Sequence, residues 1–421
     1  MNSFYLTLGL TVLSFTCLSQ QVDAGNGHSI ILKENGDVYT IGRNNFGQLG
    51  DGTLNNSPVP IHIVDLPKVK TISRGYDHSL AIDFNGNIWS WGRNNYGQLG
   101  TQVTNDYNTP QQLIGHSNFA AVEGGHWHTV AIKNDGSVWT WGHNFFGELG
   151  NGGREHSLYP TPVILENGDS LNGIAQIVSV GYHTLALDSN GQVYSWGSND
   201  FGELGHFKNT IQSFAEKIDS LKNIKSVAVG WHHSVALNQS GKVYIWGSDP
   251  SSQIEESTSK YFDQITCIPD IPKINKIACG SWHSLAIDEN KEVWGWGKNH
   301  YGMLGTGDSL SVSFPVKLDL PSNICQIGGG CFQSLAIDEN GEIWTMSDNP
   351  SGQQGQGNYD RLYTPKKIAF TGNPINEEVA SAGIDPEFLK KLFKYGLLVF
   401  SVLLNIYLFR KLRANRKANK A

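Results

Sequence analysis

The chain has 421 residues, 48 of them glycine, with 39% hydrophobic and 11% aromatic residues; it is too apolar for disorder and lacks the G-x-y period of collagen. Its net charge of −7 hides an asymmetry, because nine of the 31 Lys+Arg lie in the last 32 residues. Residues 20–386 therefore carry 22 basic against 37 acidic side chains, a balance of −15, which repels phosphate backbones and argues against nucleic acid as a partner.

The first element is an apolar run at residues 4–18, FYLTLGLTVLSFTCL, the length of a signal-peptide core and too short to span a bilayer, although no lysine or arginine precedes it. A signal peptide over residues 1–19 is expected, with Gln20–Ala24 kept as an outer strand; cleavage after Ala24 would remove that strand. From there one pattern recurs. Residues 25–50 read GNGHSIILKENGDVYTIGRNNFGQLG, residues 75–100 read GYDHSLAIDFNGNIWSWGRNNYGQLG, and five more copies follow, with cores at 125–152, 181–205, 230–254, 280–307 and 330–357 (the first two at 25–52 and 75–100).

Each copy reads as strands. Residues 79–84 and 87–92 are short β-rich runs around Asn85-Gly86, and Asn35-Gly36, Asp135-Gly136, Asn190-Gly191 and Asn340-Gly341 stand at the same point, predicting a two-residue type I′ hairpin. One further strand precedes the glycine (69–73, 225–229, 275–279), and one follows the Gly-rich loop beside a proline (59–63, 315–318, 365–368). Four strands repeated seven times predict an all-β, seven-bladed propeller over residues 20–370.

The repeat also decides what its histidines and tryptophans do. His28, His78, His128, His183, His233 and His283 recur once per unit, with Gln333 in the last, so they would sit apart around a ring. Ligands for one ion must converge; these are expected to bond neighbouring backbone, and no metal or cofactor is expected. Trp91, Trp141, Trp196, Trp246 and Trp296, paired with Trp89, Trp139, Tyr194, Tyr244 and Trp294, are expected to fill the wedges between units.

The G-x-x-H-S/T…G-x-V-W-x-W-G-x-N-x-x-G-x-L-G pattern resembles the regulator of chromosome condensation repeat, a seven-bladed propeller family. The fifth copy departs from it at Ser252-Gln253-Ile254-Glu255 and the seventh at Met346-Ser347. The resemblance implies two functional readings. One is protein interaction; the other is guanine-nucleotide exchange on a small GTPase, which would need a cytosolic propeller and a wedge loop. The visible insertion is five residues near Asn151–Asp169.

Within the frame, the turns between glycine and histidine vary, and they hold Tyr76, Trp127, Tyr182, Trp231, Trp282 and Phe332, with Asp77, His126 and His232 among them. A ring of aromatics in turns on one face is a candidate partner surface, together with the loops around Asn94, His143, Asn199 and Asn299. The alternative is that the rings fold inward and plug the channel. Plant ultraviolet-B photoreceptors of the same repeat carry Trp and Arg in these turns; here no arginine occupies them, so photoreception is not implied. G-x-S-x-G, P-loop and H-E-x-x-H motifs are absent and catalysis is not expected.

Beyond a linker at 371–388, the second apolar run (395–409) predicts a single transmembrane helix over residues 389–409, extended toward Leu392 and Phe393 once Lys394 snorkels. The basic tail, 410–421, would be its cytosolic end, giving a type I protein with a lumenal or extracellular propeller. The competing topology is a tail anchor with a cytosolic propeller. Asn55 and Asn238 are glycosylation sequons, and the pairing of Cys267, Cys279, Cys325 and Cys331 is undetermined by their spacing.

Overall fold

A computed structural model describes residues 20–206, 210–248 and 264–370. The expected signal segment, the 252–255 departure, the linker, the membrane span and the basic tail lie outside the described residues. Among the described residues, no helix is long and apolar enough to cross a membrane.

Twenty-eight strands form seven four-stranded antiparallel sheets, each ordered as its strands occur in the chain. The first blade is β1 (Gln21–Ala24), β2 (His28–Leu32), β3 (Val38–Gly42) and β4 (Ser57–His62). β1 is therefore the innermost strand of its blade, not an outer one as the sequence suggested. It occupies the position of β5 (Val69–Arg74) and β9 (Phe119–Gly124) in the next two blades and lines the channel with them.

The hairpins also differ from expectation. Asp83 N bonds Asn87 O, Gly86 N bonds Asp83 O, and only Gly86 of the turn has positive φ (77°), so the loop has three residues. A type I′ turn would need positive φ twice. The Asp83 carboxylate supports this loop by accepting from Asn85 N and Asn87 N at 2.8 and 3.0 Å, although the first and third blades close the same loop with Lys33 and Lys133 at that position. Asp188, Asp288 and Asp338 accept in the same way as Asp83 in their blades.

The core lies between blades. Leu80, Ile82 and Ile88 of the second blade pack on Phe119, Val122, Ala131 and Trp141 of the third, burying apolar faces that neither sheet could bury alone. The repeat histidines complete these junctions, through side chains rather than the backbone bonds expected. Nε2 of His78, His128, His183, His233 and His283 lies 2.8–3.2 Å from the hydroxyl of Thr129, Ser179, Ser234, Ser284 and Ser334 one blade on. Most of those hydroxyls donate onward, as Thr129 does to Gln98 O (2.7 Å) and Ser234 to Glu203 O (2.8 Å), so the histidine must be the donor. The same loop carbonyls accept the indole N–H of Trp141 and Trp246 at 2.9 and 2.7 Å.

Burial holds His28, His78 and His233 at about 3 and His183 and His283 at about 4, hence neutral at physiological pH. The motif glycine is explained by the same ring, since a Cβ on Gly75, Gly125 or Gly280 would collide with the imidazole of its own His78, His128 or His283. The ring of blades closes between the seventh and the first, where Gln333 Nε2 takes the histidine's part with Ser29 Oγ (2.6 Å) and Gln326 Nε2 bonds Gln20 O (2.6 Å).

Candidate functional site

Antiparallel pairing puts the variable turns and the loops after each Gly42-type residue at one end of the propeller, here the turn face. The three-residue hairpins stand at the other. His28 pairs with Gly42 and Leu32 with Val38, and the remaining blades repeat this.

The sequence-selected aromatics separate into two tiers. Tyr76, His126 and Trp231 follow the glycine directly and meet over the axis: Tyr76 stacks on His126 at 4.0 Å, and Trp231 lies 5.8 and 5.4 Å from the two. Ser281 and Cys331, at the same position in later blades, are 1% and 2% exposed, so this end of the channel is shut. A backbone circuit holds the tier: Asn26 N bonds Tyr76 O, Tyr76 N bonds Gly125 O, His126 N bonds Gly181 O, Trp231 N bonds Ser281 O, Ser281 N bonds Gly330 O and Cys331 N bonds Gly25 O. Burial pushes the Tyr76 hydroxyl up to about 12 and His126 down to about 3.

Trp127, Tyr182, His232, Trp282 and Phe332 form the second tier, one residue later and facing outward. All five are half-buried. They differ from the plug in their company: Trp127 packs with Tyr96 (5.1 Å) and His143 (5.4 Å), and Tyr182 with Phe146 (5.1 Å), all three from the loops after the third strands. Phe332 packs on Tyr301 (5.2 Å), and Lys298 lies 4.1 Å over Trp282. Asp77 shares the tier but is buried, with Arg43 and Arg93 each 3.4 Å from its carboxylate; burial raises its pKa against these two cations.

Those arginines are the residues that sequence reasoning missed. None lies in the turns, yet Arg93 sits 4.6 Å over Phe46 and 5.6 Å over Trp127, reaching them from the following loop. Arg154 lies 5.2 Å over Phe145, itself 58% exposed, and Arg361 lies 5.1 Å over Tyr301. Of the five arginines among the described residues, Arg74 lines the channel, and Arg43, Arg93, Arg154 and Arg361 all belong to the turn face. Lys33, Lys68, Lys133, Lys242 and Lys273 instead flank the hairpins. The signal was present in the sequence, as WGRNN in the second copy, but the tandem pairing with a turn residue of the next blade was not.

The loop asparagines are pins, not contacts. Asn94 is fully buried, its Oδ1 accepting from Leu99 N (2.9 Å) and its Nδ2 donating to Val103 O (2.8 Å) and Asn105 O (3.0 Å); Asn199 and Asn299 hold their loops alike. His143 is buried against Glu148 at 2.6 Å. Of the sequons, Asn55 is exposed on the rim of the turn face. Asn238 takes the aspartate's place in a hairpin, where its Oδ1 accepts from Ser240 N and Lys242 N at 3.0 and 2.9 Å. The insertion in the third unit does not project as a wedge: Ile164 bridges Ser170, and Leu165 bridges Ala215 of the next blade. Among the described residues, no three His, Cys, Asp or Glu side chains converge as metal ligands.

Comparison with known proteins agrees with this geometry. Human WBSCR16 superposes with a TM-score of 0.70 at 20% identity, covering 80% of this chain and 95% of that one. Prp20p of Saccharomyces cerevisiae, described with its binding to Gsp1p and histones, superposes at 0.71 with 24% identity over 80% and 86% of the two chains. Human Alsin is 58% identical over 38 residues, 9% of this chain and only 2% of its own length. The RCC1-like domain model matches residues 11–269, and single regulator of chromosome condensation (RCC1) repeats match 274–302 and 291–337, so the chain belongs to the RCC1-like domain family.

Proposed function

We propose that the protein is a noncatalytic interaction module that holds a protein partner on its turn face. The observation that carries this reading is the segregation of arginine. Among the described residues, all four arginines outside the channel lie on the face with the half-buried Trp127, Tyr182 and Trp282, and each stacks on an aromatic ring, while the hairpin end uses lysine; Lys298 over Trp282 is a lysine on the arginine face. Arg, Trp and Tyr on a preformed surface are the side chains that dominate interface energetics, and lysine is depleted from such surfaces.

The apolar runs at 4–18 and 395–409 add a membrane anchor to the proposal, in the type I orientation. β1 enters and β28 (Leu362–Lys367) leaves the propeller at the hairpin end, as the pairings Gln21 with Leu32 and Lys367 with Trp344 require. Nucleotide exchange on a small GTPase, which would need the tail-anchored topology, has less support because the third-unit insertion packs down on the propeller.

Two experiments test the reading. Protease and glycosidase treatment of sealed vesicles should leave the propeller protected and a C-terminal tag cleaved; a digested propeller reverses the topology. Cross-linked partners should then be compared for the wild type, Arg93→Ala/Phe145→Ala and a hairpin-face control, Lys68→Ala/Lys133→Ala. Loss of the same protein from the first variant only is expected, and identical recovery from all three would remove the turn face as the binding surface.

A further inference from the structure

Below the aromatic plug, the channel is a cavity of about 340 Å³. Its wall is uneven because one strand position varies around the ring. Asp23, Ser73, Glu123, Val178, Ala228, Ala278 and Gly328 all pair with the residue two beyond the frame histidine or its Gln333 equivalent, so they are equivalent positions of successive blades. Polar side chains occupy blades one to three, and small or apolar ones the other four.

The polar side is built around one hydroxyl. Ser73 Oγ donates to Glu123 Oε2 at 3.0 Å and lies 3.5 Å from Asp23 Oδ2. Its single proton cannot serve both carboxyls. Asp23 is matched by Arg74, whose Nε reaches Oδ1 at 3.2 Å while Nη2 is held by Gly329 O at 2.9 Å. Glu123 is left with the hydroxyl alone. Burial, and then the charge of Asp23, raise its pKa against the opposing pull of Ser73 and Arg74, so it holds its proton to higher pH than an ordinary carboxyl. From the remaining strands the cavity is lined by Gln176, Val178, Val227, Ala278, Gln326 and the Cys279 thiol, which burial pushes to about 12 and keeps neutral.

We propose that this channel binds a small organic cation, a primary ammonium carried on an apolar body, with the ammonium between Asp23 and Glu123 and the body against Val178, Ala228 and Ala278. Charge decides the class. Asp23 and Arg74 cancel, so an incoming cation is balanced only when Glu123 releases its proton to solvent, whereas an anion would meet two carboxyls with the one guanidinium already engaged. The plug closes one end, and the ligand enters from the hairpin end.

Calorimetric titration of the purified full chain with hexylammonium chloride, at pH 7 and pH 9 and with hexanol as the neutral probe, tests this. An alkylammonium keeps its charge at both pH values, as lysine does. Glu123, its pKa raised by burial and by Asp23, loses its proton as the pH rises, so affinity should rise from pH 7 to pH 9 and binding at the lower pH should release a proton. Glu123→Gln should abolish the pH dependence and weaken binding at pH 9 by at least tenfold. Ala278→Leu, which fills the apolar wall and leaves both carboxyls intact, should remove binding at both pH values, and it decides the matter if the glutamine variant fails to fold. Absence of saturable heat, equal binding of hexanol, or an unchanged Ala278→Leu titration would overturn the proposal.

Discussion

Eight tryptophans divide between two regions of this molecule. Trp91, Trp141, Trp196, Trp246 and Trp296 are fully buried between blades, and the first four give their indole N–H to a loop carbonyl of the preceding blade at 2.7–2.9 Å. Trp127, Trp231 and Trp282 stand in the turns, half-buried, and the indole nitrogens of Trp127 and Trp231 have no partner. The same side chain is frame in one register and surface or plug in the other. Repetition separates the two cases: a residue that recurs at every blade serves the junction that recurs with it, while one that varies is free of that duty.

Acid should act most strongly on the buried set. The six frame histidines are neutral in the fold: burial holds five of them at about 3 or 4 and His128 well below its ordinary value, against about 6.5 in the unfolded chain. The unfolded state therefore binds more protons, and the stability is complete above pH 6.5 and lost as pH falls toward the folded values. Between pH 7 and pH 5 each histidine should cost about 2 kcal/mol, on the order of 10 kcal/mol together, with the raised Glu123 offsetting about one histidine's share. The urea midpoint followed by tryptophan fluorescence should collapse over that interval. A flat midpoint would mean that the frame histidines are charged in the fold.

Next in size, Trp246→Ala should cost about 4 kcal/mol, since it opens a cavity between blades and leaves Glu203 O without its indole donor. Trp231→Ala should cost about half as much, because the ring is half-buried against Tyr76, His126 and Trp282 and gives up no hydrogen bond. Equal losses would erase the distinction between junction and turn.

How much was legible follows from the same distinction. The seven blades, the frame histidines and the buried tryptophans could be read because each recurs at a spacing of about fifty residues. The two tiers could not, because the fourth copy has one residue fewer between glycine and histidine than the others. Aligned on the histidine, Gly181 takes the place of His126 and Tyr182 that of Trp127, so aromatics that look like one ring belong to two. The arginines were invisible for another reason: Arg93 and Trp127 are distant in sequence and meet only when blades stack. The dipeptides Asn-Gly and Asp-Gly favour a two-residue turn locally, but every such hairpin closes one residue wider, with the glycine alone at positive φ; an aspartate that bonds two backbone amides supports the wider loop in four blades, and lysine stands there in two.

One blade departs from the frame at a single backbone position. At the end of the third strand six blades place Gly42, Gly92, Gly142, Gly197, Gly247 and Gly297 at φ between 100° and 106°, and in the first five a Cβ would strike the turn carbonyl. The seventh has Ser347 at φ 119°, its hydroxyl pressed on Phe332 O. Ser347→Gly should stabilise the protein by about 1 kcal/mol in chemical denaturation, by relieving strain that the other blades avoid. Destabilisation would show that the hydroxyl contact outweighs the backbone cost.

The smallest effect on stability is expected where the effect on function is largest. Arg93 lies over Phe46 and Trp127, shares the buried Asp77 with Arg43 and donates to Asn95, its own side chain partly open to water. Exposed ion pairs and cation–π contacts contribute about 0.5–1 kcal/mol each, and Asp77 keeps its second arginine, so Arg93→Ala should move the denaturation midpoint by no more than about 1 kcal/mol. It should nonetheless remove most of the partner from cross-linked complexes, because an interface arginine is judged by the free energy it contributes in the complex and not in the free protein. A loss of 3 kcal/mol or more would place Arg93 in the frame with the buried tryptophans. The turn face would then be another structural layer, and the search for the partner surface would move to the hairpin end.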